Sequence, residues 1–318
     1  MIDWTDRHCR YFHRQLSPHA VLYTEMITAP AILHGDQERL LGFSNAEHPV
    51  VLQLGGSDPA QLARAAKIGA DAGYDAINLN CGCPSDRVQQ GKFGACLMAE
   101  PSLVADCIKE MQNATGIPVT VKCRIGIDDA PPEIMLRKFV ENLVAVGCDM
   151  FIIHARKAWL KGLSPKENRE IPPLDYKLPA LIKHEYGVKV ILNGGIKTVQ
   201  HVRDHLEIFD GVMIGREAYQ NPWFIAELEH EIYQTPLPCR LKILEKMCEY
   251  MTERAAQTDT HSGTPIKSIT RHMLGLFNGM AGAKTWRRIL GGEAHAATNA
   301  HDFIMPLAQQ ILSHNREG

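Results

Sequence analysis

Seven short apolar runs, spaced along the first two-thirds of the 318-residue chain, constrain its fold more than any other feature. Apolar residues occupy both alternating sets of positions in these runs, which is typical of strands in a parallel sheet that is covered on both faces. Amphipathic helical patterns separate most of the runs, and one of them opens with the cap residue Asp58 followed by Pro59. The predicted strands cover residues 21–26, 49–56, 76–82, 119–126, 150–155, 189–195 and 211–216.

Alternation of strands and helices at this density predicts a parallel sheet, either an open doubly wound sheet or a (β/α)8 barrel. A barrel of seven strands would leave a gap, and the chain opens directly on a helical stretch, TDRHCRYFHRQL. We therefore expect an eighth strand immediately upstream, with Met1 as its last residue and the given start shortened. The predicted fold is a (β/α)8 TIM barrel with a truncated first strand.

The barrel pattern ends at a stretch with two prolines, TPLPC at residues 235–239, which prevents a continuous helix. The patterns beyond it are helical, so we predict a barrel domain over residues 1–234 and a small helical domain over residues 235–318. The net charge of −2 gives no sign of a nucleic-acid partner, but residues 240–318 contain ten Lys and Arg against seven Asp and Glu. This excess hints at an anionic partner for the helical domain.

The nine cysteines are odd in number and scattered, so they do not indicate a disulfide framework. The start, MIDWTDRHCR, lacks the apolar core of a signal peptide, and no run is long enough to span a bilayer. The sequence therefore predicts a cytoplasmic protein with reduced thiols. It contains neither the GxGxxG fingerprint of dinucleotide-binding folds nor a Walker loop.

Polar side chains lie at the ends of the predicted strands, where a β/α barrel carries its functional residues. A single lysine or arginine in such a position is usually a solvated loop residue, but so many polar groups at the ends of apolar strands predict a shared active site. These residues are Gln53, Asn80, Cys83, Lys122, Arg124, His154, Arg156, Asn193 and Arg216.

Two glycine-containing turns, NGGI at residues 193–196 and GRE at residues 215–217, follow consecutive strands. Glycine lets backbone N–H groups approach an anion closely, and the start of a following helix adds its dipole. With the missing strand counted first, these are the seventh and eighth strands, whose ends form the usual phosphate site of such barrels. Either motif alone would be interpreted as a tight turn, but the pair predicts a phosphorylated ligand.

The two cysteines in INLNCGCPSDRVQQGKFGA, residues 77–95, are two positions apart. This spacing suits neither a zinc knuckle nor a CxxC redox pair, and no second pair completes a metal site. Alternation along the strand places Asn80 and the loop after it on one face and Cys81 on the other. Cys83 is therefore expected at the barrel mouth and Cys81 in the core.

These motifs resemble the tRNA-dihydrouridine synthases, a family of FMN enzymes that reduce uridine in tRNA. NLNCGCPSDRVQQGKFGACLM is similar to the family signature, and VTVKCRIG, LNGGI and VMIGREAYQNPWF match the family in order over nearly the whole chain. The stretch IIHARKAWLKGLSPKENREIPPLDY is specific for the bacterial A-type branch, which implies action at positions 20 and 20a of the D-loop. The family's first strand ends in Ala-Pro-Met and contacts the flavin, and Met1 alone matches that ending.

The resemblance implies an FMN-binding barrel that uses NADPH as its electron source. Reduced FMN would give a hydride to C6 of uracil, while Cys83 would give a proton to C5, because a thiol of ordinary pKa is mostly protonated at neutral pH. Asn80 is expected to hold the edge of the uracil. The implied flavin-binding residues are Met1, Gln53, Lys122, His154, Asn193, Gly194, Gly195, Gly215 and Arg216.

A uridine in folded tRNA must leave its stack to reach a barrel mouth, so the protein also needs contacts with RNA outside the pocket. Basic residues at helical spacing in the C-terminal region predict a stripe that faces phosphates, with a solvated basic face as the alternative interpretation. The candidate tRNA contacts are Lys267, Arg271, Lys284, Arg287 and Arg288 in that region, with Lys166 and Arg169 in the A-type stretch.

Two other interpretations use part of the same evidence. A flavin barrel that reduces or oxidises a free pyrimidine, as a dihydroorotate-type dehydrogenase does, would not need a basic helical tail. A flavin-free RNA-binding module would need neither Cys83 nor the two glycine turns. The sequence therefore predicts a monomeric oxidoreductase with tRNA and NAD(P)H as partners, and with neither a membrane nor a metal.

Overall fold

The computed structural model describes residues 1–256, 266–292 and 299–315. Seven strands form one parallel sheet in which each strand pairs with the next along the chain. Sequential strand order is that of a β/α barrel, whereas the order reverses in a doubly wound sheet, so the predicted fold class is confirmed. The strands are β1 (Leu22–Thr28), β2 (Val50–Gly55), β3 (Ala76–Cys81), β4 (Val119–Arg124), β5 (Met150–His154), β6 (Lys189–Asn193) and β7 (Gly211–Met213).

Helices occupy the connections between the strands and most of the described chain after the last strand. Short 3-10 helices lie at Asn45–Glu47, Gly94–Ala99 and Glu167–Arg169. The α-helices are α1 (Arg7–Leu16), α2 (Ala29–His34), α3 (Gln37–Leu41), α4 (Pro59–Asp71), α5 (Asp86–Gln90), α6 (Pro101–Ala114), α7 (Pro132–Val144), α8 (Lys177–Tyr186), α9 (Val199–Leu206), α10 (Arg216–Gln220), α11 (Trp223–Tyr233), α12 (Arg240–Ala256), α13 (Ile266–Thr270), α14 (Ala283–Gly292) and α15 (His301–His314). None of the described helices is long and apolar enough to cross a membrane.

The chain divides into two compact units. The first contains residues 1–2 and 21–215, and therefore the whole sheet. The second contains residues 3–20 together with the described residues from 216 onward. The boundary predicted between residues 234 and 235 thus falls inside the second unit, which also takes α1, α10 and α11.

Close approach of helix α4 to the sheet illustrates how the first unit packs. The helix begins as predicted, because the Asp58 side chain accepts a hydrogen bond from the Gln61 N–H and Pro59 occupies the first turn. Its buried face includes Gly69, where an added Cβ would lie 2.4 Å from Cδ2 of Leu52 in β2. Since Leu52 is fully buried, only a residue without a side chain allows this contact.

The last strand is shorter than predicted. The apolar run at 211–216 predicts a strand over its full length, but β7 ends at Met213 and Arg216 already begins helix α10. The run at 189–195 is shortened in the same way, because Gly194 and Gly195 have positive φ values of 115° and 74° that a strand does not accommodate. The lost strand positions become the loops at the carboxyl end of the sheet.

The second unit has its own apolar core and a polar anchor for helix α1. Trp286 is fully buried against the edge of Phe277, and its Nε1 donates to the Met273 carbonyl at 2.9 Å. Asp6 caps α1 by accepting two backbone N–H bonds, and its carboxylate also accepts from Arg271 Nη2 at 2.7 Å. This ion pair ties the first helix of the chain to the C-terminal helices of the same unit.

Candidate active site

The polar residues predicted from strand ends share one face of the sheet in the first unit. Strand register places Gln53 beside Asn78, Asn80 beside Lys122, and His154 beside Asn193. Because alternate residues of a strand point to the same side, the residues two positions apart in β3 and in β4 fall on this same face. The structure thereby brings the strand residues of the predicted site together, whereas Arg216 belongs to the second unit and the Arg156 guanidinium donates to the Pro172 carbonyl.

Cys83 lies in the loop directly after β3, and three contacts hold its backbone. The side-chain oxygen Oδ1 of Asn80 accepts hydrogen bonds from the N–H groups of Gly82 and Cys83, each at 3.0 Å. The Cys83 carbonyl accepts from the Ala95 N–H at 2.9 Å. A Cβ at Gly94, whose φ is 76°, would lie 2.6 Å from that carbonyl, so this return of the loop requires glycine.

The thiol of Cys83 is half-buried, and its Sγ lies 3.6 Å from the hydroxyl oxygen of Ser85. Cys81 differs in every respect: its side chain is fully buried and it pairs in register with Cys123. Burial raises the pKa of the Cys81 thiol well above its ordinary value, and the Cys123 thiol adds to the increase. The predicted assignment of the two cysteines to opposite environments is confirmed, and Cys83 is the thiol that a ligand can reach.

Lys122 projects a cationic donor from the same face. Its Nζ donates to Oδ1 of Asn193 at 3.1 Å, and Nδ2 of Asn193 donates to the Met213 carbonyl at 2.7 Å. Burial, followed by repulsion from Arg124, lowers the pKa of Lys122 to about 8. The ammonium group is therefore mostly charged at neutral pH and still close enough to its pKa to exchange a proton.

Arg124 has a role that sequence reasoning missed. It is buried, and it donates to three backbone carbonyls, those of Gly82 at 3.1 Å, Lys157 at 3.2 Å and Asn168 at 2.8 Å. Burial, followed by repulsion from Arg169, lowers its pKa to about 10, which leaves the group charged. The guanidinium thus joins the Cys83 loop to residues 156–172, which we call the insertion segment. Its position two residues after Lys122 was the available signal, since alternation places both on one face.

A second contact joins the same two segments. Nε2 of Gln89 donates to the carbonyls of Pro84 and Leu160, at 2.8 and 2.7 Å. Within the insertion segment, the fully buried Asn168 accepts from the Trp159 N–H at 2.7 Å and donates to the Trp159 carbonyl at 2.9 Å. The insertion segment is therefore held to the Cys83 loop by hydrogen bonds from side chains to backbone groups.

The NGGI turn has a backbone conformation that glycine adopts without strain. Gly194 and Gly195 both have positive φ values, and the binding of a phosphate at this turn stays a prediction. A Cβ at Gly195 would lie 2.5 Å from Leu174 Cδ1 and 2.6 Å from the Tyr176 hydroxyl, and that hydroxyl donates to the Gly194 carbonyl at 2.9 Å. A Cβ at Gly194 would lie 3.3 Å from His154 Nε2, so the imidazole borders this turn.

Three further predicted ligands have less defined surroundings. A Cβ at Gly215 would lie 3.5 Å from the sulfur of Met1, so these two residues are neighbours in the first unit. Arg216 is the first residue of the second unit and of helix α10, and its place in a phosphate site stays a prediction.

The candidate tRNA-binding residues lie at the surface of both units. Lys166 and Arg169 are exposed in the insertion segment, where Lys166 precedes a 3-10 helix and Arg169 is its last residue. On α14 the buried residues are Ala283, Trp286 and Leu290, which leaves the three basic side chains Lys284, Arg287 and Arg288 exposed. Arg287 also donates to Asn278 Oδ1 at 3.2 Å.

The spacing of Lys267 and Arg271 predicted a phosphate-facing pair, but the two side chains have different environments. Lys267 is exposed, whereas Arg271 forms the ion pair with Asp6. Burial alone would raise the pKa of Asp6, but hydrogen bonds from His272, the Cys9 N–H and Arg271 outweigh it and hold that pKa well below its usual range. Arg271 is thus part of the α1 anchor.

The fold is shared with solved structures of very different sequence. Morphinone reductase superimposes with a TM-score of 0.51 at 13% identity, over 76% of this chain and 85% of that one. A variant of NCR from Zymomonas mobilis gives a TM-score of 0.50 at 14% identity, over 74% and 82% of the two chains. At these identities the likeness shows the barrel fold alone.

The family is shown by sequence. The model of the dihydrouridine synthase (Dus) family matches residues 1–311, and this chain therefore belongs to that family of flavin-dependent oxidoreductases. A protein of Vibrio vulnificus named tRNA-dihydrouridine(20/20a) synthase is 53% identical over 98% of this chain and 95% of its own length. Proteins with the same name from Xanthomonas campestris and Vibrio cholerae are each 52% identical, over 98% and 93% of this chain and 91% and 90% of their own.

Proposed function

We propose that this protein reduces uridine to 5,6-dihydrouridine at positions 20 and 20a of the tRNA D-loop, with FMN as cofactor and NADPH as electron source. The names of its relatives support both the substrate and the positions. The observation that carries the proposal is the placement of Cys83, a reachable thiol whose backbone is fixed by Asn80 beside Lys122 in the neighbouring strand. A bare binding module would have no need of a thiol held in this way.

The residues of the first unit fit a flavin with a phosphate tail. The turn at Gly194 and Gly195 has positive φ values, and its two residues carry no side chain that would keep a phosphate from their backbone N–H groups. We assign the ribityl-phosphate end to this turn and its neighbours and the ring system to the inner row of polar side chains. The proposed flavin-binding residues are Met1, Gln53, Lys122, His154, Asn193, Gly194, Gly195, Gly215 and Arg216.

The chemistry needs one hydride and one proton, added across the C5–C6 bond of uracil. Reduced FMN, when bound, supplies the hydride to C6. Cys83 supplies the proton: its S–H bond breaks as a C–H bond forms at C5, and the thiolate is protonated again from water. Lys122, which is mostly cationic at neutral pH, offsets the negative charge that passes from the base to the sulfur.

Asn80 has one group left for the base. Its Oδ1 is occupied by the N–H groups of Gly82 and Cys83, and one hydrogen of Nδ2 goes to Gln53 Oε1 at 2.8 Å. The second hydrogen of Nδ2 is the donor with which Asn80 would hold a carbonyl oxygen of uracil. The Asn80 amide would therefore position both Cys83, the proton donor, and the uracil ring.

Contacts with tRNA outside the pocket are assigned to basic surfaces of both units. Lys166 and Arg169 stand in the insertion segment, which Arg124 fixes to the Cys83 loop. The exposed face of α14 adds Lys284, Arg287 and Arg288, within the predicted helical tRNA-binding domain at residues 235–318. Since each phosphate contact adds to the salt dependence of RNA binding, substitution of these residues should flatten that dependence.

The test is nucleoside analysis of an unmodified tRNA transcript incubated with the protein, FMN and NADPH, with NADH as a parallel arm. We expect dihydrouridine at positions 20 and 20a, and none in a transcript carrying cytidine at both. The Cys83→Ala variant serves as the matched control, because it should retain flavin and bind tRNA. Turnover of a free pyrimidine with no dihydrouridine in tRNA would contradict the proposal.

A further inference from the structure

A chain of hydrogen-bonded side chains runs across the inner face of the first unit, from β4 to the Cys83 loop. Thr120 Oγ1 accepts from Asn78 Nδ2 at 3.0 Å, and Asn78 Oδ1 accepts from Gln53 Nε2 at 2.9 Å. Gln53 Oε1 accepts from Asn80 Nδ2 at 2.8 Å. We call these four side chains the amide chain. All four are buried, with exposed fractions of 8% or less.

Backbone groups at both ends give the amide chain one direction. At the first end, the Thr120 hydroxyl lies 3.2 Å from the Ile77 carbonyl, which can only accept, so the single hydroxyl proton goes there. At the other end, Asn80 Oδ1 faces the N–H groups of Gly82 and Cys83, which can only donate. The reverse orientation of the amides would set oxygen against oxygen at one end and N–H against N–H at the other.

The consequence is that none of the three side-chain amides in the amide chain is free to flip. Once Thr120 donates to Ile77, it can accept only from the nitrogen end of Asn78, and each amide then determines the orientation of the next. The last amide in the series presents its oxygen to the loop of Cys83. A buried polar group without a hydrogen-bond partner is disfavoured, so the orientation of one amide determines the orientation of every other amide in the amide chain.

We propose that Thr120 and Asn78 are positioning residues for the reduction of uridine. Neither is placed to touch the substrate: Asn78 is fully buried and Thr120 nearly so, one layer below the Asn80–Lys122 pair. They act through Gln53 and Asn80, whose orientation holds the Cys83 loop and leaves N–H groups, not carbonyls, for the ligand. The proposal rests on the proposed function for its rate readout but on the hydrogen bonds alone for its geometry.

A merely structural role would predict a different pattern. Thr270, in the second unit, is a matched residue: it is fully buried and its hydroxyl donates to the Leu290 carbonyl at 3.3 Å, with no side-chain amide bonded to it in the part of the chain that the structure describes. Replacing either threonine with valine removes one buried hydroxyl and keeps the shape of the side chain. If only stability matters, both substitutions should act alike on folding and neither should act on Cys83.

The experiment compares Thr120→Val, Thr120→Ser and Thr270→Val in two assays. The first is single-turnover oxidation of the reduced enzyme by saturating tRNA, normalised to flavin content. The second is the rate of alkylation of Cys83 by iodoacetamide, followed by mass spectrometry of the peptide that contains it. We expect Thr120→Val to slow the first on the order of tenfold to a hundredfold, as displaced catalytic groups do, and to accelerate the second. Thr120→Ser, which keeps the hydroxyl, and Thr270→Val should match the parent protein in both.

Asn78→Leu tests the path of the effect. Because Thr120 acts only through Asn78, the double variant with Thr120→Val should be no slower than Asn78→Leu alone. Additive effects, or an unchanged Cys83 alkylation rate in Thr120→Val, would overturn the proposal. A parent protein that forms no dihydrouridine would refute the proposed function instead, and the alkylation comparison would still decide on the amide chain.

Discussion

Replacement of Cys83 with alanine separates the chemistry of the site from its folding. The thiol is half-buried, and its Sγ lies 3.6 Å from Ser85 Oγ, a weak contact because the S–H group is a weak donor. The loop is held by the backbone N–H and carbonyl of residue 83, which alanine retains. We therefore expect little loss of stability and unchanged binding of flavin and tRNA.

The rate should respond very differently. Loss of a general acid typically costs roughly 10²–10⁴-fold, so oxidation of the reduced enzyme by tRNA should slow by that factor in Cys83→Ala. Reduction of the flavin by NADPH should keep its rate, because that half-reaction needs no proton donor for uracil. Stopped-flow absorbance of the flavin measures both half-reactions in the same sample.

Cys81→Ala is the matched control, since it deletes the same atom two residues away. Its side chain is fully buried, and removal of one heavy atom from a packed core costs on the order of 1 kcal/mol. We expect a lower melting temperature and a nearly unchanged rate. A Cys81→Ala variant that stops uridine reduction while Cys83→Ala sustains it would refute the assignment. If neither variant slows the reaction, the proton comes from another group, with Lys122 the first to test.

Other predictions follow from the glycine turn, the buried guanidinium and the buried histidines. Gly195→Ala should lower flavin affinity on the order of tenfold, because the added methyl group strains the backbone and collides with Leu174 and Tyr176. Gly147 also has a positive φ but no atom within 4 Å of an added Cβ, so Gly147→Ala should lower stability without loss of flavin, and equal flavin content in the two variants would contradict this. Arg124→Ala should increase hydrogen exchange in the insertion segment and slow uridine reduction, and unchanged exchange would show that the three carbonyls do not depend on it. Burial lowers the pKa of His8 to about 4 and that of His13 to about 3, below the value near 6.5 of the unfolded chain. The unfolded state therefore takes up these protons first, so stability should be full above about pH 6.5 and fall progressively towards pH 4. Thermal melts across that range should show a weaker decline in His13→Gln, and an identical decline would count against the histidine.

The sequence predicted the features that depend on local pattern. Alternation along a strand was enough to place Asn80 on one face and Cys81 on the other, because a strand has a period of two whatever its neighbours are. The glycine pair at 194–195 also indicated a turn from the sequence, since glycine adopts positive φ without the steric cost that other residues have. These features place the site at the carboxyl end of the sheet.

What could not be predicted depends on contacts between distant segments. The three acceptors of Arg124 lie 33 to 44 positions away in sequence, and no local pattern encodes them. The amide chain requires the register between β2, β3 and β4 as well as the rotamer of each side chain. The ion pair of Asp6 with Arg271 spans 265 positions, so the sequence offered Arg271 as a surface residue.

The division of the chain gives the second unit an unusual dependence on the order of synthesis. Its first segment ends at Ala20, and the rest begins at Arg216, so an entire sheet is made between them. During synthesis, more than two hundred residues separate Ser17 and His19 from Glu229, the residue that accepts their hydrogen bonds. A fragment cut at the proline stretch would leave that glutamate on one piece and the helical core on the other. The second unit can therefore complete its folding only after both of its segments, residues 3–20 and the residues from 216 onward, have been made. Either segment produced alone would expose apolar surface to chaperones and proteases.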